Sequence, residues 1–111
     1  RSTNGFDYNR AMLLMAVLEK RGGLGVNTCD AYLNVIGGLY LDEPGADLAA
    51  VLALASSFRD KPVPPDLVAV GEVGLTGELR SVSALSQTIV PPTGLQLIPV
   101  KNIREALAVL L

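Results

Sequence analysis

Leu41-Asp42-Glu43-Pro44-Gly45-Ala46-Asp47-Leu48-Ala49-Ala50-Val51-Leu52-Ala53-Leu54-Ala55-Ser56-Ser57 is the stretch on which the fold turns. An extended segment runs into a Pro-Gly turn, and a long Ala/Leu helix leaves it. Leu48, Val51, Leu52 and Ala55 fall on the i, i+3, i+4, i+7 stripe of one helix face. Ala49, Ala50 and Ala53 are small, so a sheet can approach the neighbouring face closely. Pro44 suits a first helical turn, where its missing N–H costs nothing. Asp42, Glu43 and Asp47 meet the positive end of the helix dipole. Strand–turn–helix junctions are also where many hydrolases place a nucleophile. Here the apex is Gly45, which offers none.

Outward from this junction, the chain reads as one small α/β domain. Its 111 residues suffice for a single core, and half of them are apolar. Asp7 is placed to cap a helix over Tyr8 to Arg21, with Leu13, Leu14, Val17 and Leu18 on its apolar face and Met12 and Met15 beside it. Gly22-Gly23 stops that helix. The polar residues before it, Arg1 to Phe6, read as a frayed end. Ala31 to Leu41 alternates like a strand, with Gly37-Gly38 marking a bend or bulge. The central helix closes near Asp60-Lys61-Pro62, and Pro62 to Asp66 forms a stiff linker.

Leu67 to Leu75 and Glu78 to Val82 read as the arms of a hairpin about Thr76-Gly77. Ser81 to Gln87 starts a further helix, and Thr88-Ile89-Val90 and Leu95 to Val100 are short strands. Asn102 caps a final helix, with Glu105 at the reciprocal position of a capping box. Ile103, Leu107 and Leu110 form its apolar stripe. The expected order is α, β, α, β-hairpin, short β, β, α: a mixed sheet packed by helices.

Composition removes several functions. There is no histidine, so imidazole triads and imidazole metal sites are excluded. Cys29 is the single cysteine, which gives no disulfide frame and no thiolate zinc cage. No apolar run approaches the ~20 residues that span a bilayer, and the opening residues lack a signal-peptide pattern. These features suit a cytoplasmic protein without a membrane partner. A P-loop needs a Gly-Lys pair, which the chain lacks.

Asp42, Glu43 and Asp47 could gather a divalent cation, but compensation of the helix dipole explains them better. Ser56 and Ser57 lie near Lys61, yet a solvated lysine keeps a pKa near ~10.4 and cannot serve as base. The formal charge of −2 rules out a uniformly basic nucleic-acid surface. Arg10, Lys20, Arg21, Arg59, Lys61, Arg80, Lys101 and Arg104 are scattered in sequence, although several could gather on one face.

Longer motifs add a resemblance. Gly5-Phe6-Asp7-Tyr8-Asn9-Arg10, Val35-Ile36-Gly37-Gly38, Asp42 to Ala49, Phe58-Arg59-Asp60-Lys61-Pro62, Gly71 to Arg80 and Ile98 to Leu107 occur in this order over nearly the whole chain. Together they resemble the C-terminal Lon-protease-like domain of the RadA (Sms) family of bacterial DNA repair proteins. The resemblance implies a Lon-protease C-terminal-like fold, of the ribosomal protein S5 domain 2 type, over residues 1–111.

In Lon proteases a Gly-Pro-Ser-Ala-Gly turn carries the nucleophile. Its counterpart here is Glu43-Pro44-Gly45-Ala46-Asp47, and an ungapped count puts Ser86 at the place of the Lon lysine. With Gly45 and Ser86 at the dyad positions, the resemblance implies a domain without peptidase activity. A residual Lon-type serine peptidase, or an assembly scaffold without DNA contact, are the alternatives.

The resemblance further implies a part in recombination and repair, with assembly into a ring, a hexamer, and binding of double-stranded or branched DNA. Arg10, Arg59, Arg80 and Lys101 are the candidate DNA contacts. No cofactor or metal is expected in this domain. ATP, Mg and Zn belong to upstream modules of the family, whose full-length members are DNA-dependent ATPases that drive branch migration. One departure stands out: the family's helix after the Ser-rich segment has no counterpart, and Gln87 runs directly into Thr88. A segment absent between residues 87 and 88 is the expectation.

Overall fold

A computed structural model describes residues 1–80 and 98–110 of the chain. Within them, three α-helices and two small sheets form a mixed α/β domain. The first strand, β1 (Ser2–Asn4), pairs in parallel with β2 (Tyr32–Asn34), Thr3 lying opposite Leu33. Arg1 to Phe6 is therefore not a frayed end. Its side chains as far as Asn4 are polar, but its backbone has a strand to pair with, Ser2 N–H donating to Ala31 O at 3.0 Å, and Phe6 is buried in the core.

Helix α1 (Tyr8–Gly22) begins as its sequence requires: Asp7 Oδ2 accepts the Arg10 N–H at 2.8 Å. It ends where Gly23 takes a left-handed φ of 74°. Ala11, Leu14, Met15, Val17 and Leu18 are its buried face. Helix α2 (Asp47–Arg59) is preceded by a 3₁₀ turn over Pro44–Ala46, so the proline starts that tighter turn and Asp47 opens the α-helix proper. Its stripe, Leu48, Val51, Leu52 and Ala55, is buried as the spacing predicts. Of the three small residues, Ala50 is buried, while Ala49 and Ala53 face outward.

The strand expected over Ala31 to Leu41 is three residues long. Beyond Asn34 the chain turns at Gly37 and Gly38, both at positive φ, and returns to pair only at the Phe6–Leu41 bridge. The loop crosses tightly over Gly5. A Cβ there would lie 2.4 Å from Leu39 O and 2.7 Å from Val35 Cβ. The expected Leu67 to Leu75 strand contracts to β3 (Glu72–Val73), which pairs antiparallel with β4 (Leu79–Arg80) around the Thr76-Gly77 turn. The apolar run from Leu67 to Val70 has no ladder partner among the described residues. At helix α3 (Ile103–Leu110) Asn102 caps as expected, its Oδ1 accepting Glu105 N–H at 2.9 Å, but the reciprocal arm falls one residue early: Glu105 Oε2 accepts the N–H of Lys101 at 2.8 Å, not that of Asn102.

The three helices pack on one another, with Leu14, Leu18, Val51 and Ile103 almost wholly enclosed. Residues 98–100 form no strand. The expectations for Ser81 to Gln87, for Thr88 to Val90, for Ser86 and for the 87–88 junction fall outside the described residues, as does most of the Leu95 to Val100 strand.

Candidate functional site

The turn before α2 is stitched to the hairpin by backbone and side chain together. Gly71 N–H donates to Gly45 O at 2.9 Å, and Leu48 N–H donates to Gly71 O at 3.0 Å. Asp47 completes the seam. Its carboxylate is 2% exposed and is the one buried charged or polar side chain among the described residues. Asp47 Oδ2 accepts the Val73 N–H at 3.0 Å. Arg10 closes on the same carboxylate from α1: its Nε donates to Oδ1 at 3.0 Å and its Nη2 donates to Oδ2. That Nη2 also donates to Val73 O at 3.1 Å. The hydrogen bond to Asp47 holds the Arg10 guanidinium above its ordinary pKa, against the opposing effect of burial.

This arrangement makes chemical sense. A carboxylate removed from water must be matched by a cation and by donors, or it is strongly unfavourable. A two-point guanidinium–carboxylate pair with a backbone N–H supplies both. Asp47 thus does more than balance its own helix dipole: it ties α1, α2 and β3 at one point. Nothing in the sequence names Arg10 as its partner, because the two lie far apart and meet only once α1 packs on α2.

The four candidate DNA contacts are spread over the surface. Arg10 is committed to Asp47, with its side chain about one third exposed. Arg59 closes α2; at ~1.5 Å per residue it lies roughly 18 Å from Asp47. Arg80 stands 57% exposed, with Glu72 at 3.9 Å and Glu78 at 3.8 Å from its guanidinium. Lys101 is exposed beside β4, where its carbonyl accepts Leu79 N–H at 2.9 Å. The backbone bond between Leu79 and Lys101 puts Lys101 beside the strand that carries Arg80, and Arg10 and Arg80 both neighbour Glu72.

Two clefts of opposite character flank the core. One, of about 450 Å³, is lined by Asp7, Asp42, Glu43, Asp47 and Glu72, with Arg10 the single cation among the described residues that line it. The other, of about 280 Å³, is lined by Lys20, Arg21, Thr76, Gly77, Asn102, Ile103 and Arg104. Sequence reasoning counted these last cations as scattered. They come from the end of α1 and the start of α3, and only tertiary packing joins them. Ser56, considered as a nucleophile, instead donates to the Lys61 carbonyl at the end of α2. No helix among the described residues is long and apolar enough to cross a membrane.

No protein-family model matches the chain. Individual relatives do. The DNA repair protein RadA of Streptococcus pneumoniae (strain ATCC BAA-255 / R6) is 56% identical over 89 residues, covering 80% of this chain and 21% of that protein. RadA of Bacillus subtilis (strain 168) is 48% identical over 128 residues, 96% of this chain and 28% of that protein. RadA of Synechocystis sp. is 43% identical over 130 residues, 100% of this chain and 26% of that protein. The chain has 111 residues, so this last alignment includes residues of the relative that have no counterpart here. The chain spans about a quarter of the length of the curated relatives it matches. Identity at this level over most or all of the chain makes it homologous to a segment of about 110 residues of the bacterial DNA repair protein RadA.

Proposed function

We propose that this chain is a Lon-protease-like module of a RadA protein that has lost peptidase chemistry and serves ring assembly and contact with double-stranded DNA. The observation that carries this reading is the turn at Gly45. Where the resembling proteases present a serine, the chain has a glycine whose carbonyl is bound to Gly71 N–H. Two residues on, where they have a glycine, it has the Asp47 carboxylate, taken up by Arg10 and Val73. A hydroxyl nucleophile and an amine base are both needed for acyl transfer of that type, and Gly45 supplies neither. A turn so tightly tied is of use as a frame.

Membership of a DNA repair family supports the DNA half. The ATP, Mg and Zn that the resemblance implies for a full-length protein would be held outside this segment, and none is assigned to the residues here. An assembly role without DNA is the second reading, and the net charge of −2 favours it. Light scattering together with the fluorescence anisotropy of a labelled duplex separates them. A ring-sized particle whose duplex binding weakens as salt rises is the expected result. A ring that ignores duplex at low salt leaves assembly alone, and a monomer that ignores it overturns both.

A further inference from the structure

The cleft between the end of α1 and the start of α3 collects three cations, Lys20, Arg21 and Arg104, and among the described residues no carboxylate lines it. None of the three has a carboxylate partner among the described residues. In a chain that is acidic overall, such a grouping needs an explanation. Lys20 and Arg21 are accounted for in part, since cations favour the negative end of α1. Arg104 is not. It occupies the first turn of α3, the positive end of that helix, where a cation is disfavoured. Its Nε and Nη2 both donate to Arg21 O at 3.3 Å, which lays the guanidinium across the cleft and fixes it to α1.

The floor is equally fixed. Gly77 has a φ of 83°, and a Cβ there would meet Arg21 Cβ at 2.9 Å, so the turn lies directly against the arginine's stem. Gly77 O accepts Ile103 N–H at 2.9 Å, which locks the turn to α3. Asn102 gives its Oδ1 to the cap of α3, which leaves its amide NH₂ as a neutral donor.

We propose that this cleft is a phosphate seat, and that it is where the domain holds the backbone of duplex DNA. The second statement rests on the DNA reading above; the first does not. Guanidinium forks suit phosphate oxygens. Three cations without a carboxylate partner among the described residues, around about 280 Å³, exceed what one protein carboxylate would neutralise, and a phosphodiester chain brings successive charges to the same place.

The test compares the unaltered chain, a Lys20→Gln/Arg21→Gln variant and an Arg1→Gln variant, which removes a cation held beside Asn27 and Cys29 outside the cleft, for duplex affinity across salt concentrations. Far-UV circular dichroism checks the folds. The double variant is expected to lower the slope of log affinity against log salt by about two, at ~0.9 per phosphate contact. Arg1→Gln is expected to leave it unchanged. An unchanged slope in the folded double variant, with the unaltered chain still binding, overturns the seat and leaves the DNA reading intact.

Titration of the unaltered chain with inorganic phosphate, followed by amide NMR, judges the seat without DNA and without substitution. Saturating shifts at Gly77, Asn102 and Arg104 support it. If they occur while duplex is ignored, the DNA reading fails and the seat belongs to a free phosphate or nucleotide. No shift overturns it, and equal shifts with acetate mark a carboxylate partner and overturn the phosphate assignment.

Discussion

Asp47 is a carboxylate with almost no access to water, and its neighbours explain how it is tolerated. Arg10 supplies charge and two donors, and Val73 supplies a backbone N–H. Asp47→Ala would strand both partners, the N–H wholly out of water. A loss of about 3 kcal/mol in urea unfolding is expected. Asp47→Asn retains an acceptor for Val73 and should cost less than the alanine; an equal cost would mean that the backbone bond contributes nothing.

Glu78 is a second residue with a defined task. The Thr76 hydroxyl donates to its Oε1 at 2.9 Å, and this bond, ahead of the Thr76 N–H and Arg80, holds the carboxyl below its usual pKa. A depressed carboxyl stabilises the fold above its ordinary pKa, and that contribution disappears as pH falls through the lowered value. Carboxyl NMR should show Glu78 titrating below an ordinary glutamate, and Thr76→Val should move it back up.

At the scale of elements, end signals were legible and strand lengths were not. Asp7, Gly23 and Asn102 act where the sequence puts them, because capping depends on neighbours a few residues away, and Glu105 misses by one residue. Asn102→Ala should therefore cost about 1 kcal/mol, measurable as a lowered denaturation midpoint. Strands depend on distant partners. Ala31 to Leu41 alternates along its length, yet only Tyr32–Asn34 finds a ladder, and the polar Ser2–Asn4 supplies it.

Gly5 shows what the alternation could not convey. Its φ of 82° and the carbonyl of Leu39, 2.4 Å from any added Cβ, make it the pivot between β1 and α1. Gly5→Ala is expected to destabilise by about 2 kcal/mol or more, and an unchanged thermal midpoint would show that the loop at Leu39 can give way. The candidate site was legible to the same degree. The Gly45 turn and its acidic residues were visible in order along the chain, whereas the Arg10–Asp47 tie and the gathering of Lys20, Arg21 and Arg104 exist only through the packing of helices.

Across the whole molecule, charge is divided: an acidic cleft beside Asp47 and a basic one beside Gly77, in a chain of net charge −2. Net charge alone therefore says little about whether this segment of a RadA relative can meet DNA; the local field decides. The same division bears on chemistry. The acidic cleft adjoins the turn where the resembling proteases attack a peptide, and its one cation is held by Asp47. The measurement that tests this most directly is the intact mass of the chain after incubation with a serine-reactive fluorophosphonate. An unmodified chain is the expected result. A stoichiometric adduct would reveal an activated hydroxyl and contradict the claim that this turn serves as a frame.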